Sequence, residues 1–385
     1  GTGVFGALTT GDNNVAVGLN ALDLNTTGSC NVAIGQTALS TATTASFNTA
    51  VGMRAMLNTT TGNKNVAVGT SAMQCNTTGS KNTAVGGMDT NAFPTMFANT
   101  TGSNNTAIGN STLMCNTTAS NNVAVGKEAL KLNTTGCRNV AVGSLALDSN
   151  TTACGNTAVG YRGLDANTTG ADNTAVGKGA MTNNTTGCRN TAIGKDALLI
   201  NTTGIENIAI GRNTLDANTE GSNNTAIGNS SLTTNTTGHS NTAAGKDALN
   251  QNTTGCHNTA IGLNSLYENT TANNNTAVGY KTLEVNTTGA SNTGVGKESL
   301  CSNTTGASNV AVGQGALGAN TTASSNTAVG TYSLDANTTG ANNSAFGLNS
   351  LTSNTTGASN TGLGRSSLST NSTGTCNVAV GNNSM

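Results

Sequence analysis

The stretch Asn224–Ser240 reads NTAIGNSSLTTNTTGHS, and the seventeen residues that follow from Asn241 read NTAAGKDALNQNTTGCH. Aligned, the two share Asn, Thr, Ala, Gly, Leu and a closing Asn-Thr-Thr-Gly. The same frame extends in both directions. The pentad Asn-x-Ala-x-Gly starts at Asn14 and recurs at Asn31, Asn48, Asn65 and Asn82. It resumes at Asn105 and returns every 17 residues to Asn377, with Gly294 and Gly362 in place of Ala. There are 22 copies, with one spacing of 23 and all others of 17. The consensus N-T-A-V-G-x-x-A-L-x-x-N-T-T-G-x-x is numbered here as positions 1 to 17. A fixed period of this length marks a repeat architecture, so it governs every later inference.

Residues 1–13 read as a degenerate first coil and 14–385 as the repeat domain. The long spacing is an insertion near residues 87–93, which places Met96 at position 9 and Asn99 at position 12. It gathers Phe93, the sole proline Pro94 and Phe97, and a projecting loop on a solenoid is a place for binding.

Asn, Thr, Gly and Val are poor helix formers, and no segment shows a 3.6-residue period. Positions 2 to 5 alternate β-branched with small residues, which is the pattern of a short strand. Positions 8 to 11 read as a second strand, with the Leu of position 9 facing in. Asn-Thr-Thr-Gly at 12 to 15 is turn chemistry. The expected fold is therefore all-β: a parallel β-solenoid, a β-roll or β-helix of about 22 coils of 17 residues, packed with other chains into a fibre. Its core is expected to be the Val or Ile of position 4 with the Leu of position 9. The small residues of positions 3 and 8 are expected to form a smooth outer face.

Composition narrows the function. Only 8% of the residues are charged and 2% aromatic, and the net charge is −1. No basic stripe is present to neutralise phosphates, which excludes nucleic acid as a partner. No apolar run is long enough to span a bilayer as a helix. The opening GTGVFGALTTGDNN has no basic segment ahead of an apolar one and is not read as a signal peptide.

Asn-Thr-Thr at positions 12 to 14 has two readings. One is a ladder of stacked amides that caps the turns. The other is a row of N-x-S/T glycan acceptors on an extracellular chain. The residues concerned are Asn25, Asn76, Asn99, Asn116, Asn133, Asn150, Asn167, Asn184, Asn201, Asn235, Asn252, Asn269, Asn286, Asn303, Asn320, Asn337, Asn354 and Asn371. Asn218 precedes Thr-Glu and fails the acceptor pattern, while Ala42 and Thr59 replace the Asn.

Ice binding needs ranked threonines on a flat face. Here Thr134 and Thr135 are consecutive, and Val15, Val32 and Ile208 interrupt the Thr column of position 2. Among nine cysteines only Cys137 and Cys154 occupy one repeat position in adjacent coils, close enough for a disulfide. No Cys-x-x-Cys occurs, and His239 and His257 have no acid or nucleophile at a motif spacing, so no metal, cofactor or catalysis is expected. Lys127-Glu128, Lys195-Asp196, Lys246-Asp247 and Lys297-Glu298 at positions 6 and 7 mark a solvated corner.

The stretches NVAIG (Asn31–Gly35) and NTAVG resemble the strand motif of trimeric autotransporter adhesin heads, and GSNNTAIGNSSLTTNTTG (Gly221–Gly238) is similar to repeats of phage-type tail fibres and bacterial surface proteins. The resemblance covers the chain from Asn14 onward. It implies a multi-chain β-roll fibre on a cell or virion surface, although the coil here is longer than that of the adhesin heads. The expected function is thus structural, with self-association head to tail, laterally, or both. An adhesin-type module that presents loops to surface glycans or receptors is the alternative, followed by an ice-binding protein.

Overall fold

The computed structural model describes residues 3–87 and 93–385. Most of the insertion, residues 88–92, lies outside the described residues. The chain divides into two units, Gly1–Asn190 and Thr191–Met385.

The first unit holds ten strands, from β1 (Val15–Val17) to β10 (Thr174–Val176), and the second holds twelve, from β11 (Thr191–Ile193) to β22 (Val378–Val380). Every strand has three residues and occupies positions 2 to 4 of its coil. Within each unit, consecutive strands pair parallel and in register, as in Val15↔Val32, Ala16↔Ala33 and Val17↔Ile34. The chain is a parallel β-solenoid built of stacked 17-residue coils. Across the long spacing, β5 (Thr83–Val85) pairs with β6 (Thr106–Ile108) through Thr83↔Thr106, so the extra residues leave the register unchanged.

The strand stops at the glycine of position 5, where the backbone enters a region that L side chains avoid. Gly228 has φ of 133°, and a Cβ there would lie 2.5 Å from the Gly245 carbonyl oxygen of the next coil. Only glycine satisfies both demands.

The rest of the coil departs from the expected second strand. Positions 7 and 9 adopt left-handed φ, as in Ser230 (54°) and Leu232 (52°), and so does position 17, as in Ser240 (57°). Positions 8 to 11 are therefore a chain of tight turns. A leucine in this conformation costs about 1–2 kcal/mol. Stacking offsets it, because each turn hydrogen-bonds to the same turn in the neighbouring coil: Leu232 N donates to Ala248 O at 3.0 Å, and Ser230 N to Arg212 O at 3.0 Å.

The core also differs from expectation. The middle strand residue points inward: Ala226, Ala243 and Ala260 are fully buried. Position 4 points outward, with Ile227 45% and Ile261 42% exposed. The interior is filled by Ala at position 3, a small residue at position 8, Leu or Met at position 9, and two asparagines. On a three-residue strand, alternation puts positions 2 and 4 together on one face and position 3 on the other. Space beside position 3 is tight, although the β-branched Thr112, Thr214 and Thr282 are buried at position 8. The two glycines at position 3 show how tight it is: a Cβ on Gly294 would lie 2.6 Å from Thr282 Cγ2, and one on Gly362 2.7 Å from Ser350 Oγ.

Candidate functional site

Two buried asparagine columns run through each unit. At position 12, Asn252 Nδ2 donates to Asn235 Oδ1 of the preceding coil (2.8 Å) and to the Gly255 carbonyl of its own turn (3.0 Å). At position 1, the Asn258 backbone N–H donates to Asn241 Oδ1 (2.9 Å), while Asn258 Nδ2 reaches the Ala272 carbonyl (2.8 Å). Asn269 Nδ2 donates to the same Ala272 carbonyl (3.2 Å). The carbonyl of position 15 thus takes one amide from each column, which uses both of its lone pairs. A third row lies beside them, in which Thr253 Oγ1 donates to the Thr270 carbonyl at 3.0 Å.

Every candidate glycan acceptor sits in the position-12 column. All of them except the half-buried Asn371 are fully buried. A glycan is carried on Nδ2, the atom that these side chains turn into the rod. The folded coils therefore offer no acceptor at the buried positions, and the second reading of Asn-Thr-Thr conflicts with the geometry. The position-1 column was visible in the sequence as an Asn in every copy, yet its ladder role needs knowledge of which way the side chain turns.

The column is broken at one place. Ala42 occupies position 12 and is fully buried. Asn25 Oδ1, which a neighbouring amide would otherwise meet, is buried without a hydrogen-bond partner. One coil further on, Thr59 substitutes: Asn76 Nδ2 donates to Thr59 Oγ1 at 3.2 Å.

Cys137 Sγ lies 2.7 Å from Cys154 Sγ, and the Cys137 N–H points at Cys154 Sγ from 2.9 Å. Both are free thiols here. Burial pushes the Cys154 thiol above its usual range, and does the same to Cys75, Cys115 and Cys301. Raised thiols hold less thiolate, so these groups are poor nucleophiles at neutral pH.

The charged groups stay on the rim. Lys195 meets Asp196 at 3.0 Å and Lys246 meets Asp247 at 3.4 Å, with both lysines more than half exposed. Such pairs contribute little. At position 10, burial raises the pKa of Asp148, Asp216 and Asp335 above the ordinary carboxylate value. Asp148 Oδ1 is also buried without a partner. His239 and His257 meet edge-on with ring centroids 5.0 Å apart, on an exposed turn.

No helix is long and apolar enough to cross a membrane among the described residues. No protein-family model matches the chain, and no curated protein matches it.

Proposed function

We propose that the chain is a structural subunit of an extracellular fibre, a filament, surface appendage or tail-fibre shaft, and that the stacked coils themselves are its working part. The observation that carries this reading is the density of bonding between successive coils. Between the coil at Asn258 and the coil at Asn275, the backbone bonds outside the strands include Thr259→Asn275, Gly279→Ile261, Lys281→Leu263, Leu266→Thr282, Glu268→Glu284 and Thr270→Thr287. Asn286 Nδ2→Asn269 Oδ1 and Asn275 N→Asn258 Oδ1 join them. Each is worth about 1 kcal/mol net, so these bonds hold one junction by roughly eight kcal/mol before its strand bonds are counted. A repeat array of this kind gains cohesion from its neighbours, and extension along the stack is what it does well.

Antibody raised against the chain, used for immunogold microscopy of the source cells or particles, tests the reading. Label along extended surface filaments supports it; label confined to the cell interior, or to compact particles, overturns it. In an oxidising extracellular setting we also expect Cys137 and Cys154 to be joined. The two thiols would pass two electrons and two protons to molecular oxygen or a disulfide donor and form one S–S bond. Non-reducing mass spectrometry of the native protein should show a peptide pair lighter by two hydrogens; two alkylatable thiols would count against the bridge.

A further inference from the structure

The outer face of the sheet has a composition unlike the rest of the surface. Positions 2 and 4 point outward in every coil, and none of them is Lys, Arg, Asp or Glu. All 15 Lys and Arg fall at positions 6, 7, 10 and 17, which lie beside or behind that face. Position 4 forms an apolar row in both units. In the first it includes Ile34, Ile108 and Val142, at 37–40% exposure, and in the second Ile193, Ile227 and Phe346, at 40–45%. Position 2 adds Thr, Val, Ile or Ser.

A parallel sheet is ordinarily covered on both sides. Here side chains of positions 8 and 9 cover only the inner side. With three residues spanning about 10 Å and strands about 4.8 Å apart, the face measures about 480 Å² in the first unit and about 580 Å² in the second. Each value matches the largest patch that a monomer usually exposes, and such patches are commonly functional. Each is more than half of the roughly 800 Å² that one partner contributes to a stable interface. A charge-free centre with a charged rim is also the arrangement found in protein interfaces.

We propose that this face is where a second copy of the same chain packs, face to face. The inference rests on the fibre reading and names its lateral partner. Identical rows repeating every coil are self-complementary, and a face without charges sets up no like-charge repulsion when two copies meet. A net charge of −1 adds almost no long-range repulsion. The small residues of positions 3 and 8, the sequence-based candidate for such a contact, are inside the coil and take no part.

The test is sedimentation of the full chain over a range of concentrations. The wild-type protein is expected to sediment at twice 37.8 kDa or more. Ile227→Lys with Ile261→Lys should weaken association by at least about 100-fold, because two facing rows of like charge cost several kcal/mol and about 1.4 kcal/mol is a factor of ten. Thr237→Lys with Thr271→Lys, placed on the exposed turn of the same coils, should leave association unchanged. If the lysine variant fails to fold, Ile193, Ile227 and Ile261 replaced by Ala provide the second arm, because Ala244 already occupies this position naturally. That variant should also dissociate while its circular dichroism stays that of the wild type.

A monomeric wild type, or face variants that associate like it, overturns the proposal. A monomeric wild type that shapes ice crystals does so in favour of ice as the occupant. The fibre reading is scored separately, by immunogold. Labelled filaments one rod wide would remove the lateral contact and leave the fibre standing.

Discussion

Replacing Ala42 with Asn should stabilise the protein, and the structure fixes by how much. In the wild type, Asn25 donates its amide to Gly28 O at 2.9 Å, but its buried Oδ1 meets no donor. An Asn at position 42 would place Nδ2 against Asn25 Oδ1 and against the Ala45 carbonyl. An alanine at position 15 is compatible with this, as Asn116 shows by donating to the Ala119 carbonyl at 3.1 Å. The new Oδ1 would find the hydroxyl of Thr59, whose oxygen already accepts from Asn76 Nδ2. Two hydrogen bonds at about 1 kcal/mol each, with the removal of an orphaned acceptor worth about 1–3 kcal/mol, outweigh the ordering of one side chain, about 1 kcal/mol. The net expectation is about 2–4 kcal/mol at this junction. Hydrogen exchange with mass spectrometry resolves it locally: amides of Asn25 to Thr60 should slow roughly 30-fold or more, while those beyond Asn201 should not change. No slowing, or a loss of protection, would refute the idea that the amide column holds coils together.

Other outcomes follow from the same geometry. Asn235→Ala removes the bonds to Asn218 Oδ1 and Gly238 O and the one accepted from Asn252, so it should cost about 3–5 kcal/mol, read as a lower denaturation midpoint and faster exchange around residues 218–255. Gly294→Ala forces a methyl against Thr282 Cγ2 and Ser299 Oγ and should destabilise by about 1–3 kcal/mol; pairing it with Thr282→Ala and Ser299→Ala should restore the midpoint. Asp148 has a raised folded pKa, so its ionisation opposes folding: stability from this group is fullest below the ordinary value of 3.8 and falls as pH rises through the folded value. Asp148→Asn should flatten that decline in a pH series of thermal melts. Glycopeptide mapping of protein secreted from a glycosylating host should find the position-12 asparagines bare, because they are enclosed; glycan on these residues in folded protein would contradict the burial.

The sequence carried the period, the strand at positions 2 to 4, the glycine that ends it and the stacking of position 12, since each of these is a property of a column. It misassigned inside and outside. Hydrophobicity favours burying Val and Ile, and nothing in a three-residue alternation says which side is the core. That depends on which way the whole coil closes, and it closes with Ala226 and Leu232 inside and Ile227 outside. The stretch Ser231–Thr234 read as a strand because Leu is rarely left-handed. Its conformation is imposed by the coils above and below, and no local propensity reports that. The asparagine of position 1 was the strongest unread signal: an amide kept in every copy, as strictly as the glycine of position 5.

The pairing of β5 with β6 across 23 residues has a consequence for how such a chain changes length. Every column is built from residues of one coil and its two neighbours, so removing or duplicating a whole period leaves each surviving junction chemically intact. Extra segments can be hung from a turn without disturbing the strands on either side. Length and decoration are therefore separately adjustable, and recombination between near-identical repeats is enough to adjust the first.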